Sequence, residues 1–238
     1  YYEALRDLGF ENFFIVADQN QTITSSNSSV PEIQKFLALE DDDIDELKEN
    51  YRNTSIIAKL ANHFYTDPSS PMPSIPERFS VDTPVLFSYS MVNDVVDLIS
   101  NIAIQNPAKL IGVITATDTK REDYFKKISK KTSEKGTKVS TYFSNGNGES
   151  KVAVNIDFSI GGVVVLCDKS VKGVEFDIVY IIMDDLKINN NDTDSVKKRL
   201  YVMTSRAKER LYLLKSQSKE CELEPLLPAD ELLRRENL

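Results

Sequence analysis

Short apolar runs rich in β-branched and aromatic residues recur along the chain: FFIVA (13–17), PVLFSY (84–89), LIGVITA (110–116), VSTYF (139–143), GVVVLC (162–167), IVYIIM (178–183) and RLYLL (210–214). Each is too short for a buried helix and is bounded by polar residues, which predicts a buried strand. Amphipathic stretches separate them. Thr54 can cap a helix through about Tyr65 that places Ile57, Leu60, Ala61 and Phe64 on one face. Residues 91–105 and 118–135 read as two further helices, and another is expected from Thr193 to Arg206 or slightly beyond. Strand and helix in alternation predict an α/β fold with a mainly parallel sheet and right-handed crossovers.

The breaks are equally legible. Residues 66–84 carry five of the nine prolines and predict an extended connection. SNGNGES (144–150) and KINNNDTD (187–194) predict polar loops, and EDDDIDE (40–46) a solvated acidic turn. The tail from 224 to 237 is expected to hold one short helix after Pro228. No repeat at a period of roughly 20–50 residues is present.

With 238 residues, 41% hydrophobic and 28% charged, the chain can bury a sizeable core. It has no run of apolar residues long enough for a transmembrane helix, and YYEALRDLGF at its start lacks the pattern of a signal peptide. The opening without Met, inside a helical pattern, reads as a fragment. Cys167 and Cys221 are the only cysteines and have no CxxC spacing, so a reducing cytoplasm is expected. His63 is the only histidine, which leaves almost no material for a His-based metal site or a Ser-His-Asp triad. At net charge −8 the surface as a whole repels nucleic acid, so any such contact must be a local groove.

Four polar segments follow strands or open helices, in the order ADQNQTI (17–23), KENYRNT (48–54), KSVKGVEFD (169–177) and YVMTSRAKERL (201–211). The Gln21 amide can both donate and accept, which suits a phosphate and an attacking water. Tyr51 offers a ring that can stack on a base, and Arg52 a guanidinium that can grip phosphate oxygens. A core tyrosine and an arginine paired with Glu49 are the plain alternatives. Gly173 permits close backbone approach and Glu175 could accept from ribose hydroxyls; a solvated loop is the alternative. Val196, Leu200, Met203 and Ala207 share one helical stripe, with Arg199 and Arg206 along its edge. An arginine so held can reach a neighbouring domain, whereas Lys208 and Arg210 read as surface charge.

The ordered set resembles motifs III to VI of the UvrD/Rep-type superfamily 1 helicases (GDxxQ, NYR, SKGLEFD and VAxTRAxxxL) over about residues 13–214. The resemblance implies a RecA-like three-layer α/β fold. It implies the end of a first RecA-like lobe over 1–37, a second lobe over 38–216 and a C-terminal tail over 217–238. It also implies ATP with Mg²⁺ as the nucleotide, single-stranded nucleic acid (DNA above RNA) as a partner, and an N-terminal RecA-like lobe as the other half of the machine. Gln21, Arg52 and Arg206 are then the catalytic residues. Tyr51, Gly173 and Glu175 hold the nucleotide, and Lys169, Ser170 and Lys172 touch the nucleic-acid backbone. An arginine finger of this kind is worth about 10³–10⁵ in rate in other phosphoryl-transfer systems.

The chain departs from that pattern in ways that matter. It has no GxxxxGK[ST] phosphate loop; GNGESK (146–151) has the wrong spacing. The Walker B acidic pair is also missing, so the magnesium ligands are expected outside this chain. TITSSNSS follows motif III where relatives carry aromatic residues, and Cys167 and Lys169 stand where motif V commonly has Thr and His. No obvious large insertion follows the second lobe, so a separate duplex-splitting subdomain is expected to be small or absent. A helicase-like binding platform without turnover is the competing expectation.

Overall fold

Six of the seven expected strands form, and they pair in an order that only the three-dimensional fold reveals. The computed structural model describes residues 2–10, 12–17, 28–45, 49–67, 72–142, 160–229 and 231–238. The strands are β1 (Val85–Tyr89), β2 (Leu110–Thr115), β3 (Val139–Thr141), β4 (Gly162–Cys167), β5 (Phe176–Ile182), β6 (Ala207–Ser216) and β7 (Arg234–Asn237). They make one sheet in the order β3-β4-β2-β5-β6-β1-β7, with every pairing parallel. A parallel sheet must be covered on both faces, which explains why β2 and β4 are buried at every position.

The helices are α1 (Tyr2–Asp7), α2 (Val30–Leu37), α3 (Ser55–His63), α4 (Val92–Gln105), α5 (Asp118–Thr132) and α6 (Thr193–Thr204). Ile57, Leu60, Ala61 and Phe64 of the α3 stripe pack with Val196, Leu200 and Met203 of α6 in one core, together with Leu223, Leu227 and Leu233 of the tail. Val95, Val96 and Ile99 of α4 pack with Tyr124 and Ile128 of α5 in a second core. Alternation in the strands divides the sheet between them: Val163 and Val165 face the second core, Val164 and Leu166 the first. The result is a three-layer α/β fold consistent with a RecA-like lobe.

Phe176 and Ile178 lie two apart yet belong to opposite cores. A bulge accounts for this. Phe176 pairs with Ala207 and Ile178 with Arg210, so β6 has one more residue than β5 between those pairs. The bulge places Lys208 and Glu209 at the strand start, beside the residues of interest below.

Three expectations are corrected. FFIVA (13–17) is not a strand: Phe14 is 96% exposed, and among the described residues no strand pairs with it. A strand requires a hydrogen-bonded neighbouring strand, and among the described residues none lies beside this segment. The tail forms a single 3₁₀ turn at Glu224–Leu226, before Pro228, and then the edge strand β7 on β1. Thirdly, α6 stops at Thr204, so Arg206 occupies a helix-to-strand turn and Ala207 already belongs to β6. One helix went unread in the sequence. Ser29 and Glu32 form a reciprocal capping box and Pro31 sits in the first turn of α2, a signal that was present.

Candidate functional site

The amino-terminal ends of β5 and β6 lie side by side, and three of the four polar segments converge there. The loop before α3 brings Arg52, the crossover from β4 to β5 brings Glu175, and the α6–β6 turn brings Arg206. The Nε of Arg52 donates to Oε1 of Glu175, a residue 123 positions away in sequence. Lys208 Nζ lies 3.7 Å from Oε2 of the same carboxylate. Glu175 is thus gripped from two sides, and neither a solvated Glu175 nor the pairing of Arg52 with Glu49 describes the arrangement. The side chains of Arg52 and Glu175 are about a third exposed, so solvent reaches this pair. Tyr51 is 81% exposed rather than part of the core, and its ring has an open face beside Arg52.

Asn53 joins the segments, although neither its residue type nor its position marks it out in the sequence. It is fully buried. Its Nδ2 donates to the carbonyls of Ser205 at 3.1 Å and Ala207 at 2.5 Å, while its Oδ1 accepts from Asn50. Arg78 adds a second clamp, donating to the Arg52 carbonyl at 3.1 Å.

Arg206 is 1% exposed. Its Nε donates to the Val202 carbonyl at 2.9 Å, and its terminal nitrogens donate to Ser205 Oγ at 3.1 Å and the Val174 carbonyl at 3.5 Å. The guanidinium therefore lies inside the turn. Of its expected neighbours, Lys208 pairs with Glu175 and Arg210 with Asp82 at 2.9 Å, so neither is simply solvated charge.

Gly173 adopts φ +83°, a left-handed conformation that favours glycine, and a Cβ there would meet nothing within 4 Å. The glycine is required by the turn, and the space beside it is open. Lys169 and Lys172 are exposed and Ser170 is half-buried. Lys169 and Ser170 follow the carboxyl end of β4, so they lie at the opposite edge of the sheet from Arg52 and Glu175. Residues 168–175 cross the sheet between the two. Gln21 lies outside the described residues, as does GNGESK.

At the β4 end, Cys167 donates to Asp118 Oδ1 at 3.3 Å, and Arg121 Nε donates to the same oxygen at 3.0 Å. Arg121 chiefly holds the Asp118 carboxyl below the usual aspartate range. Burial is the main reason that the Cys167 thiol is pushed up to about 11, with Asp118 adding to it. Burial also raises Cys221. Both thiols therefore stay protonated at neutral pH. At pH 8 a thiol-specific reagent is expected to label the folded chain about a hundredfold or more slowly than the urea-unfolded chain. Labelling of the folded chain should keep accelerating as the pH rises toward 11. Rapid labelling at pH 8 would show that one of the two sites is open.

Among the described residues, no group of three or more His, Cys, Asp or Glu could hold a metal ion, and no helix is long and apolar enough to cross a membrane.

The site and fold together define a class: a parallel, three-layer α/β domain with a polar cluster at the amino-terminal ends of two central strands. No family model and no curated protein sequence matches the chain. Among solved structures, it is similar to the C-terminal domain of a possible DNA helicase from Lactobacillus plantarum WCFS1. That similarity has a TM-score of 0.50 and 19% sequence identity, covering 78% of this chain and 98% of the other. At this identity the likeness is one of fold.

Proposed function

We propose that this chain is the second motor lobe of an ATP-dependent superfamily 1 helicase or translocase of the UvrD/Rep type. The observation that carries the reading is the convergence of Arg52, Glu175 and the Arg206 turn on one strand edge, from segments far apart in sequence. A solvated loop has no need of such a meeting point, whereas a nucleotide contacted from several motifs does.

In this reading ATP is the substrate, and the phosphate loop and magnesium ligands come from an N-terminal lobe outside this chain. The open ring of Tyr51 stacks on the base, and Glu175 accepts from the ribose. Arg52 holds terminal phosphate oxygens, and Arg206 stabilises the charge that develops on them in transfer. Gln21 orients water. Lys169, Ser170 and Lys172 contact the backbone of single-stranded DNA. Work by the protein is positioning and electrostatics, and ATP-driven closure and opening of the two lobes moves the strand.

The fold likeness to a domain of a possible DNA helicase agrees with this reading. The test is single-strand-stimulated ATP hydrolysis by the complete two-lobe protein. Arg52→Ala is expected to lower kcat by about 10²-fold or more, since a charged phosphate contact is lost while Arg52 is not part of the core. The 238-residue chain alone is expected to show no magnesium-dependent turnover. A complete protein that binds single strands but hydrolyses nothing would instead be a helicase-like binding platform.

A further inference from the structure

Two elements cross the first-core face of the sheet side by side. One is the 168–175 crossover, which carries Lys169 and Ser170 at one sheet edge and Glu175 at the other. The other is α6, which runs back along it to the Arg206 turn. They are tied at both ends. At the Arg206 end, the guanidinium donates to the Val174 carbonyl at 3.5 Å. At the far end, Arg199 donates to Asp168 through both Nε (2.8 Å) and a terminal nitrogen.

The second tie is unusual in its setting. Asp168 is 2% exposed and Arg199 19%. Taking two charges out of water costs free energy, and apolar residues of similar volume often replace such a pair without loss of stability. Stability therefore gives a weak reason for it. Its position gives a better one: Asp168 Oδ1 also accepts the backbone N–H of Lys169 at 2.8 Å, so the carboxylate holds the start of the 169–170 loop directly. Seven residues beyond Arg199, the turn of Arg206 is bonded to Asn53, the neighbour of Arg52.

We infer that Arg199 and Asp168 are positioning residues that transmit occupancy of the Lys169–Ser170 loop, through α6, to the turn holding Arg206. The inference rests on the proposed single-strand contact of that loop. Neither residue touches nucleotide or strand. A strand phosphate on Lys169 or Ser170 displaces Asp168, the two Arg199 N–H groups on Asp168 Oδ2 turn this into a shift of α6, and the helix carries it to its carboxyl end. From Arg199 the helix runs on through Thr204, a rise of about 7.5 Å, and the turn of Arg206 follows directly.

Amide hydrogen exchange of the chain, with and without a saturating oligo-dT strand, tests this. In the wild type the strand is expected to change exchange at Phe176, whose N–H donates to the Arg206 carbonyl, by about fivefold or more. Arg199→Met should abolish that change at strand concentrations that still saturate the loop. Asp168→Asn combined with Arg199→Gln keeps a neutral hydrogen bond in place of the ion pair and should restore it. Thermal unfolding of each variant establishes that it is folded. A simple packing role would leave the strand-induced change in Arg199→Met intact, and that result overturns the inference, as does strand binding with no change at Phe176 in the wild type. Absence of any strand binding by the wild type would remove the single-strand reading itself, and the inference with it.

Discussion

Replacing Arg206 with alanine is expected to slow single-strand-stimulated ATP hydrolysis by the proposed two-lobe motor about a hundredfold or more, roughly 3 kcal/mol of transition-state stabilisation. The residue that the sequence suggests as an outward finger is turned inward, with its guanidinium on two backbone carbonyls and a serine hydroxyl. These partners are neutral, and one contact is as long as 3.5 Å. A phosphate carrying developing negative charge is the stronger partner for a planar guanidinium. In the proposed reading Arg206 is held in the turn until a phosphate is presented and then exchanges bonds to it.

The same burial makes the alanine variant ambiguous by itself, because it removes a buried side chain together with its hydrogen bonds, at a cost of about 1–3 kcal/mol of folding stability. Two measurements separate the effects. Thermal unfolding reports the folding cost. Arg206→Lys keeps a charge but loses the fork, and it should still lose about tenfold or more in kcat if bidentate contact matters. A folded alanine variant that hydrolyses ATP at the wild-type rate would make Arg206 a staple of the turn and nothing more.

The largest stability effect is expected at Phe176. It is fully buried at the start of β5, next to Glu175, and its alanine variant should lose about 3–5 kcal/mol. A second position reports on the same space. A Cβ added at Gly112 would lie 2.5–2.9 Å from the Phe176 ring, so Gly112→Ala forces the ring to shift. Overpacking of this sort costs about 1–3 kcal/mol. In the Phe176→Ala background the ring is gone and the added methyl partly fills the cavity, so the same substitution should cost less or become neutral. Urea unfolding of the two single variants and the double variant measures this coupling. Additive costs would mean that the ring does not occupy the space over Gly112.

The difference between what was legible and what was not follows from range. The strands β1, β2, β4 and β5 are legible as short continuous apolar runs and the helices α3, α4 and α5 as apolar stripes, because each pattern is complete within about fifteen residues. RREN (234–237) has no apolar pattern at all and is a strand only because the edge of β1 offers it hydrogen bonds. FFIVA has the pattern and is no strand, because among the described residues no strand lies beside it. The same distinction holds for the candidate site. Tyr51, Arg52, Glu175 and Arg206 stand out by residue type and motif spacing, Arg199 and Lys208 are legible only as charges on a helix edge and the surface, and Asn53, Arg78 and Asp168 are not marked at all. Their importance lies wholly in partners found elsewhere in the chain.

By itself, then, the sequence determined the α/β class, most of the elements and the residues able to meet a phosphate, since these depend on local periodicity and side-chain chemistry. Only the tertiary structure decided strand order, the inward pose of Arg206, the grip on Glu175 and the tie between the 168–175 crossover and α6. Those depend on which distant segments the closing of a parallel sheet brings within hydrogen-bonding distance, and no local pattern encodes that choice.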